Sequence, residues 1–466
     1  MTEKLIIVLD CGATNVRAIA VKQNGEIIAS HSIVNNTRAD PYFEGGLIWD
    51  VEEIWAKLLS CTQHVLKQIN KELVAAITVT TFGVDGAPLN NDGALLYPVI
   101  SWACQRTAPI MENIDKYIPI EKLYAINGIH KFSFNTINKL IWFKENRPEL
   151  LEQMKNYLFI SSIFLQKLSG EMVTESTMAG TSMLTNCKTQ NFSEDIFSAI
   201  GVENKFPKIV QSGEQIGITT VKVTEELGMP KAIPVIAAGH DTQFALFGSG
   251  ANEGDVVLSS GTWEILMART RQISTDTHAY NNGITNEFDA IASLYNSGVQ
   301  WLGSGILEWL TNLLYQKEKS ELSRDKLYSF IISEASRVEK SNLDFNLDFL
   351  NSNGSIRGLH INSKREEIYR AALQALSLKT AKNIKALEES LKFKAKSIIV
   401  VGGGSKNRLW NQVRADALNC PLKLIDKKET TVLGAALFAM VGVGIYKTVE
   451  EARNNVDYKT ELVTKS

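Results

Sequence analysis

Paired cysteines are missing from this sequence: its five, Cys11, Cys61, Cys104, Cys187 and Cys420, are odd in number and far apart, with no CxxC spacing. That excludes a disulfide-stapled scaffold and a zinc-finger-type site, and it points to free thiols in a reducing compartment. A surplus of one charge is missing too. The formal net charge is −2 with the basic residues scattered, which leaves no electrostatic footprint for nucleic acid or an anionic membrane. No apolar run approaches a membrane span, and Met1-Thr2-Glu3-Lys4 precedes an apolar run too short for a signal peptide. A cytoplasmic protein with small-molecule partners is therefore expected, and nothing in the sequence opposes a homo-oligomer. Low-complexity tracts and charge runs are also absent. With 44% hydrophobic and 21% charged residues, the composition is that of a chain that packs a core.

At 466 residues the chain exceeds the size at which one core stops growing, so two domains are predicted. Leu5 to Leu9 predicts a strand, Asp10 to Asn15 a polar loop, and Val16 to Val21 a second strand. Asn24-Gly25 marks a hairpin into a third, Glu26 to Ser30, because both residues tolerate positive φ. The unit recurs in the second half as Asp255 to Leu258, a loop Ser259 to Thr262, and Trp263 to Ala268. Two related lobes follow from the repetition. The linker-like stretch Gly248 to Gly254 divides them into 1–247 and 248–466. Strands Ala75 to Thr80, Ile233 to Ala238 and Lys396 to Val401 alternate with helices Asn138 to Lys144, Arg365 to Leu391, Asn407 to Leu418 and Thr431 to Val441, an α/β pattern.

Five loops hold chemistry-bearing residues. In Asp10-Cys11-Gly12-Ala13-Thr14-Asn15 a tight turn at Gly12 aims backbone N–H groups at an anion, Thr14 and Asn15 add donors, and Asp10 suits a magnesium ion held through water. A surface hairpin uses the same residues. Ser259-Ser260-Gly261-Thr262 is an ordinary turn by itself and a second phosphate clamp if it faces the first loop. Gly402-Gly403-Gly404-Ser405 lies directly between a strand and a helix, where a nucleotide fits against bare backbone. No Gly-Lys-Ser/Thr follows, so it is not a Walker loop, and a tight packing turn is the other reading. Gly239-His240-Asp241-Thr242 ends a buried strand. Asp241 there is placed to take the proton of an attacking hydroxyl and His240 to donate to a sugar, although a structural hydrogen bond or a helix cap also uses such a pair. In Thr81-Phe82-Gly83-Val84-Asp85-Gly86, Gly83 admits a ligand, Asp85 accepts from hydroxyls and Phe82 walls a pocket, or the segment is a plain turn. Trp102 and Arg106 downstream offer another wall and a donor, or packing and surface residues.

Taken together and in order, these segments resemble the FGGY family of carbohydrate kinases, and Phe134 to Trp142 is similar to the family's Lys-x-x-Trp region. The resemblance spans nearly the whole chain. It implies an α/β fold of two actin-like, ribonuclease H-like ATPase lobes with a cleft between them, using ATP and Mg2+. Within the family, Leu9 to Arg17, Thr81 to Gly86, Gly239 to Gly248 and Ser259 to Glu264 look most like members that phosphorylate L-fuculose at its 1-hydroxyl. Members acting on L-rhamnulose are less similar around Asp85-Gly86 and Gln243-Phe244. By the same resemblance Asp241 is the general base and Asp10 helps place magnesium. Gly12, Ala13, Thr14, Asn15, Arg17, Gly261 and Thr262 would lie near the phosphates, and Gly402 and Gly403 near adenine. Gly83, Asp85, His240, Thr242 and Asn296 would lie near the sugar, with Gln300 beyond them. An actin-like or Hsp70-like ATPase and a sugar sensor without turnover are the competing readings, since related folds host unrelated functions.

Overall fold

A computed structural model describes residues 3–350 and 353–466. The first strand, β1 (Leu5–Cys11), is buried along its whole length, as a strand covered on both faces must be. It pairs antiparallel with β2 (Asn15–Lys22), which pairs antiparallel with β3 (Ile27–Val34). The third strand runs further than its apolar residues alone predict, because the ladder with β2 holds its polar half to Val34. Helix α1 (Val51–Leu66) opens on Asp50, whose side chain accepts the Glu53 N–H at 3.0 Å. It buries Ile54, Leu58, Cys61 and Val65 at helical spacing.

That helix leads to β4 (Val74–Thr81), parallel to β1, and later helix α2 (Thr136–Asn146) packs over the segment that follows β4. Strands β5 (Gln215–Ile218) and β6 (Pro234–Ile236) complete a six-stranded sheet ordered β5-β6-β4-β1-β2-β3. Regular pairing in β6 stops short of the predicted Ala238, where the backbone of Ala237 bonds instead to the 213–214 turn.

Helix α3 (Asp241–Gly248) crosses to the second sheet: β7 (Val256–Ser260), β8 (Trp263–Thr270), β9 (Thr285–Phe288), β10 (Tyr295–Leu302), and, after the long helix α4 (Arg365–Leu391), β11 (Ile398–Val401). Helix α5 (Arg408–Ala417), β12 (Leu422–Ile425), helix α6 (Thr430–Gly442) and β13 (Thr460–Val463) follow. The order is β9-β10-β8-β7-β11-β12-β13. As in the first sheet, an antiparallel meander (β7, β8, β10) meets a parallel strand, β11 beside β7. Repeated topology is what the repeated strand-loop-strand pattern predicted.

The glycine loop does not enter α5 directly. A short 3-10 turn, Gly403–Lys406, intervenes, because Asn407 accepts the Trp410 N–H and fixes the helix start one residue later. Between the sheets, α3 and α6 pack through Phe244, Phe247 and Phe438, with ring centroids 5.5 and 5.0 Å apart, in one core with Ile6 and Val8 of β1. Among the described residues no helix is long and apolar enough to cross a membrane.

Candidate active site

Strands β1, β4 and β6 run parallel and end side by side. Cys11 lies opposite Thr81, Thr81 bridges to His240, and the Thr81 N–H donates to the Gly239 carbonyl at 2.9 Å. The 10–15 loop, the 82–86 loop and the His240-Asp241 pair therefore emerge together at the carboxyl edge, where open α/β sheets hold ligands. In the second lobe Ser259 lies opposite Val401, which brings the 260–262 loop against Gly402. Gly402 has φ +84°, and a Cβ there would stand 2.7 Å from the Ser260 carbonyl oxygen. Glycine is required on both counts.

Between the lobes a cavity of about 640 Å³ is walled by Phe82, Gly83, Trp102 and Phe132 on one side and by Trp263 and Thr285 on the other, with His240, Asp241 and Thr242 also lining it. A second, about 250 Å³, runs from Asp241 and Thr242 past Ser259 to Gly402 and Thr430. A third, about 740 Å³, opens from Gly402 and Gly403 along Ser405 and Arg408. Asp241 borders the first two, and Gly402 the last two. Shared lining residues place the three side by side, and the first and third are of the size that small-molecule ligands occupy.

Asp241 is the first residue of α3, where the partial positive charge of the helix favours an anion. Its Oδ1 accepts the Thr242 N–H at 2.6 Å and lies 3.5 Å from His240 Nε2. Burial nonetheless holds this carboxyl above the usual aspartate range, against the lowering influence of His240 and the Thr242 hydrogen bonds. A base with raised proton affinity is suited to accept a hydroxyl proton. Asp10 is also raised, by burial first. Arg17 opposes the rise, and the charges of Asp241 and Glu429 add to it. Arg17 Nε donates to Asp10 Oδ2 at 3.0 Å and its Nη1 to Glu429 Oε2 at 2.8 Å, tying β2 to the segment before α6.

Of the residues singled out in the sequence, Gly83, His240, Asp241, Thr242 and Gln300 line the first cavity, between the lobes. Gly402 and Gly403 line the outer one. Gly12, Ala13, Thr14 and Asn15 form the β1–β2 turn, closed by the Gly12 N–H on the Asn15 carbonyl at 2.9 Å and braced by Asn35. The carbonyls of Gly261 and Thr262 take the Ser304 and Gly303 N–H groups, while the neighbouring Ser259 and Trp263 face the cavities.

Two expected sugar contacts stand behind the wall rather than on it. Asp85 is 0% exposed, and its carboxylate takes Lys139 Nζ, Trp49 Nε1 at 2.6 Å and the Trp102 N–H at 3.0 Å. Three donors hold it, and one of them is the backbone of Trp102, whose ring walls the cavity. Asn296 is likewise 0% exposed and donates to Gln243 Oε1 at 2.5 Å. Arg106 is buried on Asp40, 2.6 Å away, outside the cavity. Sequence reasoning missed Glu287, Lys131 and Phe132 in the cavity and Lys428 on the inner route. Lys428 closely precedes α6 and was detectable as a cation beside a polar loop; Glu287 arrives only through the tertiary fold.

Gly83 faces the His240 ring, and a Cβ there would stand 2.9 Å from Nε2. Gly83→Ala should push the imidazole aside; in the sugar kinase that the sequence resemblance implies, kcat/KM for the sugar should fall about 10- to 100-fold with little change in the ATP KM, read by steady-state kinetics.

The profile described as the FGGY family of carbohydrate kinases, N-terminal domain, matches residues 5–248, and its C-terminal counterpart matches 256–443. An L-fuculokinase from Haemophilus influenzae is 44% identical over 459 residues, covering 96% of this chain and 97% of that protein. A rhamnulokinase from Bacteroides thetaiotaomicron is 29% identical over 440 residues, covering 90% and 87%. The crystal structure of xylulose kinase from Rhodospirillum rubrum superposes with a TM-score of 0.89 over 99% of this chain and 94% of that one, at 19% identity. Profile, relatives and fold agree, and the chain belongs to the FGGY family of carbohydrate kinases.

Proposed function

We propose that this chain transfers the γ-phosphoryl group of ATP to the 1-hydroxyl of L-fuculose, giving L-fuculose 1-phosphate and ADP in fucose catabolism. The observation that carries this reading is the position of Asp241, on the boundary between a cavity with room for a sugar and the narrower passage toward the glycine loop. The specific sugar is supported by 44% identity to an L-fuculokinase over nearly the whole length of both proteins.

In this reading the sugar occupies the cavity between the lobes, the phosphates the passage, and adenosine the outer groove by Gly402 and Gly403. Asp241 accepts the proton of the attacking hydroxyl as its oxygen bonds to the γ-phosphorus and the bond to the bridging oxygen breaks, releasing ADP. The Ala13, Thr14 and Thr262 N–H groups, with the side chains of Thr14, Asn15, Arg17 and Thr262, would meet the phosphates, while the Gly12 and Gly261 N–H groups close their own turns. Phosphoryl transfer needs little beyond such positioning and charge stabilisation. Closure of the lobes, which we assign as 1–247 and 248–466, would exclude water as a competing acceptor.

Asp10 is the residue to hold Mg2+. Its Oδ2 is held by Arg17, and the charges of Asp241 and Glu429 lie near; this fits an ion that takes one or two protein carboxylates and completes its shell with phosphates and water. When bound, the ion neutralises phosphate charge. The cytoplasm, where ATP is abundant, is the compartment we assign.

ATP-dependent phosphorylation of L-fuculose, L-rhamnulose, L-xylulose and D-ribulose, compared as kcat/KM, tests the assignment. L-Fuculose should lead. A lead for L-rhamnulose or D-ribulose would remove the sugar named here.

A further inference from the structure

His240 stands between two carboxylates. Its Nε2 is 3.5 Å from Asp241 Oδ1, and its Nδ1 is 3.4 Å from Glu287 Oε2. Glu287 belongs to β9 in the second lobe, is 8% exposed, and lines the cavity between the lobes. The same Oε2 accepts from Gln243 Nε2 at 2.5 Å, and Gln243 in turn is held by Asn296 of β10. Gln243 and Asn296 are both fully buried. A carboxylate kept in a cavity wall by buried polar partners is costly to desolvate, and a fold that needed only packing there would place an apolar side chain.

We propose that Glu287 is a positioning residue for phosphoryl transfer: from the second lobe it fixes the ring of His240, and so sets the Nε2 edge that faces the base Asp241. The inference rests on the kinase reading and deepens it, since it makes alignment of the base depend on a group from the opposite lobe.

The surroundings of His240 agree. Its backbone N–H donates to Thr177 Oγ1 at 2.9 Å, and that hydroxyl donates to buried Glu175 at 2.5 Å. Gly83 leaves the ring space, and Lys131 is the one Lys or Arg lining this cavity among the described residues. Burial works against a proton on the imidazole, but the hydrogen bond and charge of Glu287, with Asp241 and Glu175, outweigh it, and the net direction is upward. A protonated ring is attracted to both carboxylates and is held between them.

The test is a double-mutant cycle on the full chain with ATP and L-fuculose. Glu287→Gln keeps the shape and removes the charge; it should lower kcat about 10- to 100-fold with the ATP KM within about twofold. His240→Asn should fall by a similar factor. If Glu287 acts through His240, the double variant stays within about threefold of the lower single variant, because the second change has nothing left to disturb. Glu287→Asp, which retains the charge one methylene further back, should recover part of the turnover.

Losses that multiply in the double variant would overturn the proposal, as would a Glu287→Gln variant that raises only the sugar KM, the mark of a plain sugar ligand. An unchanged kcat would do the same. Should Glu287→Gln lose its cooperative melt, the cycle is run with Glu287→Asp and the same criterion applies. A parent chain that does not phosphorylate L-fuculose would fail on the kinase reading itself; an active parent with multiplicative losses fails on this inference alone.

Discussion

Asp241→Asn should retain binding of sugar and ATP while turnover drops by roughly two to four orders of magnitude, the range for a lost general base. The amide keeps the size of the side chain and an oxygen for the Thr242 N–H, now 2.6 Å from Oδ1, so the start of α3 is preserved. What it loses is the ability to accept a proton. Two pH effects accompany the change. Burial holds the Asp241 carboxyl above its usual range, and a protonated carboxyl is no base, so turnover of the parent should fall on acidification at a pH above the ordinary aspartate value. The same shift means that the folded chain binds this proton more tightly than the unfolded one. Ionisation therefore costs stability above the folded pKa, and the cost vanishes below the unfolded one. Asp241→Asn should melt at a higher temperature than the parent near neutral pH, with the gap closing as pH falls. Near-normal turnover in the variant would remove Asp241 from the role of base.

Lys139→Met should destabilise the chain by about 3–5 kcal/mol, the loss seen when one partner of a buried ion pair is removed. Lys139 and Asp85 side chains are 1% and 0% exposed. Burial works against charge on both and outweighs the partial relief that each gives the other. Lys139 Nζ also donates to the Val84 carbonyl at 3.2 Å, which Thr136 Oγ1 reaches at 2.8 Å. Val84 has φ 62°, a left-handed conformation that a β-branched residue holds only under constraint. Two groups of α2 supply that constraint, beside Gly83 and the cavity. Urea unfolding should show the loss, and the sugar KM should rise as the 82–86 loop relaxes. Asp85→Asn in the Lys139→Met background should restore part of the stability, since it removes the stranded charge. A loss under about 1 kcal/mol would mean that the pair contributes little.

Asp85 also shows where reading the sequence stops. Val-Asp-Gly after a strand has the composition of a turn with an exposed carboxylate, and only the arrival of Lys139, Trp49 and Trp102 makes it a buried anchor. None of those partners is near it in sequence. The two strand-turn-strand units were legible because a strand, a glycine with small polar residues and a second strand are local features, and β1–β2 and β7–β8 reproduce them. Helix α4 matches its prediction at both ends, since its apolar and charged residues keep helical spacing throughout. The packing of α6 on β1 was not legible from local pattern. Its nearly continuous burial shows in the apolar Val432 to Met440, which signals a helix covered on all sides without saying by what. Glu287 had no local signal at all.

ADP release by the unsubstituted chain, measured in one reaction with and without L-fuculose while the sugar phosphate is identified by NMR, goes most directly to the heart of the matter. Phosphoryl transfer in this cleft predicts ADP in step with L-fuculose 1-phosphate, and almost none without sugar. ADP released at the same rate in the absence of sugar would contradict it and leave an ATPase of another kind.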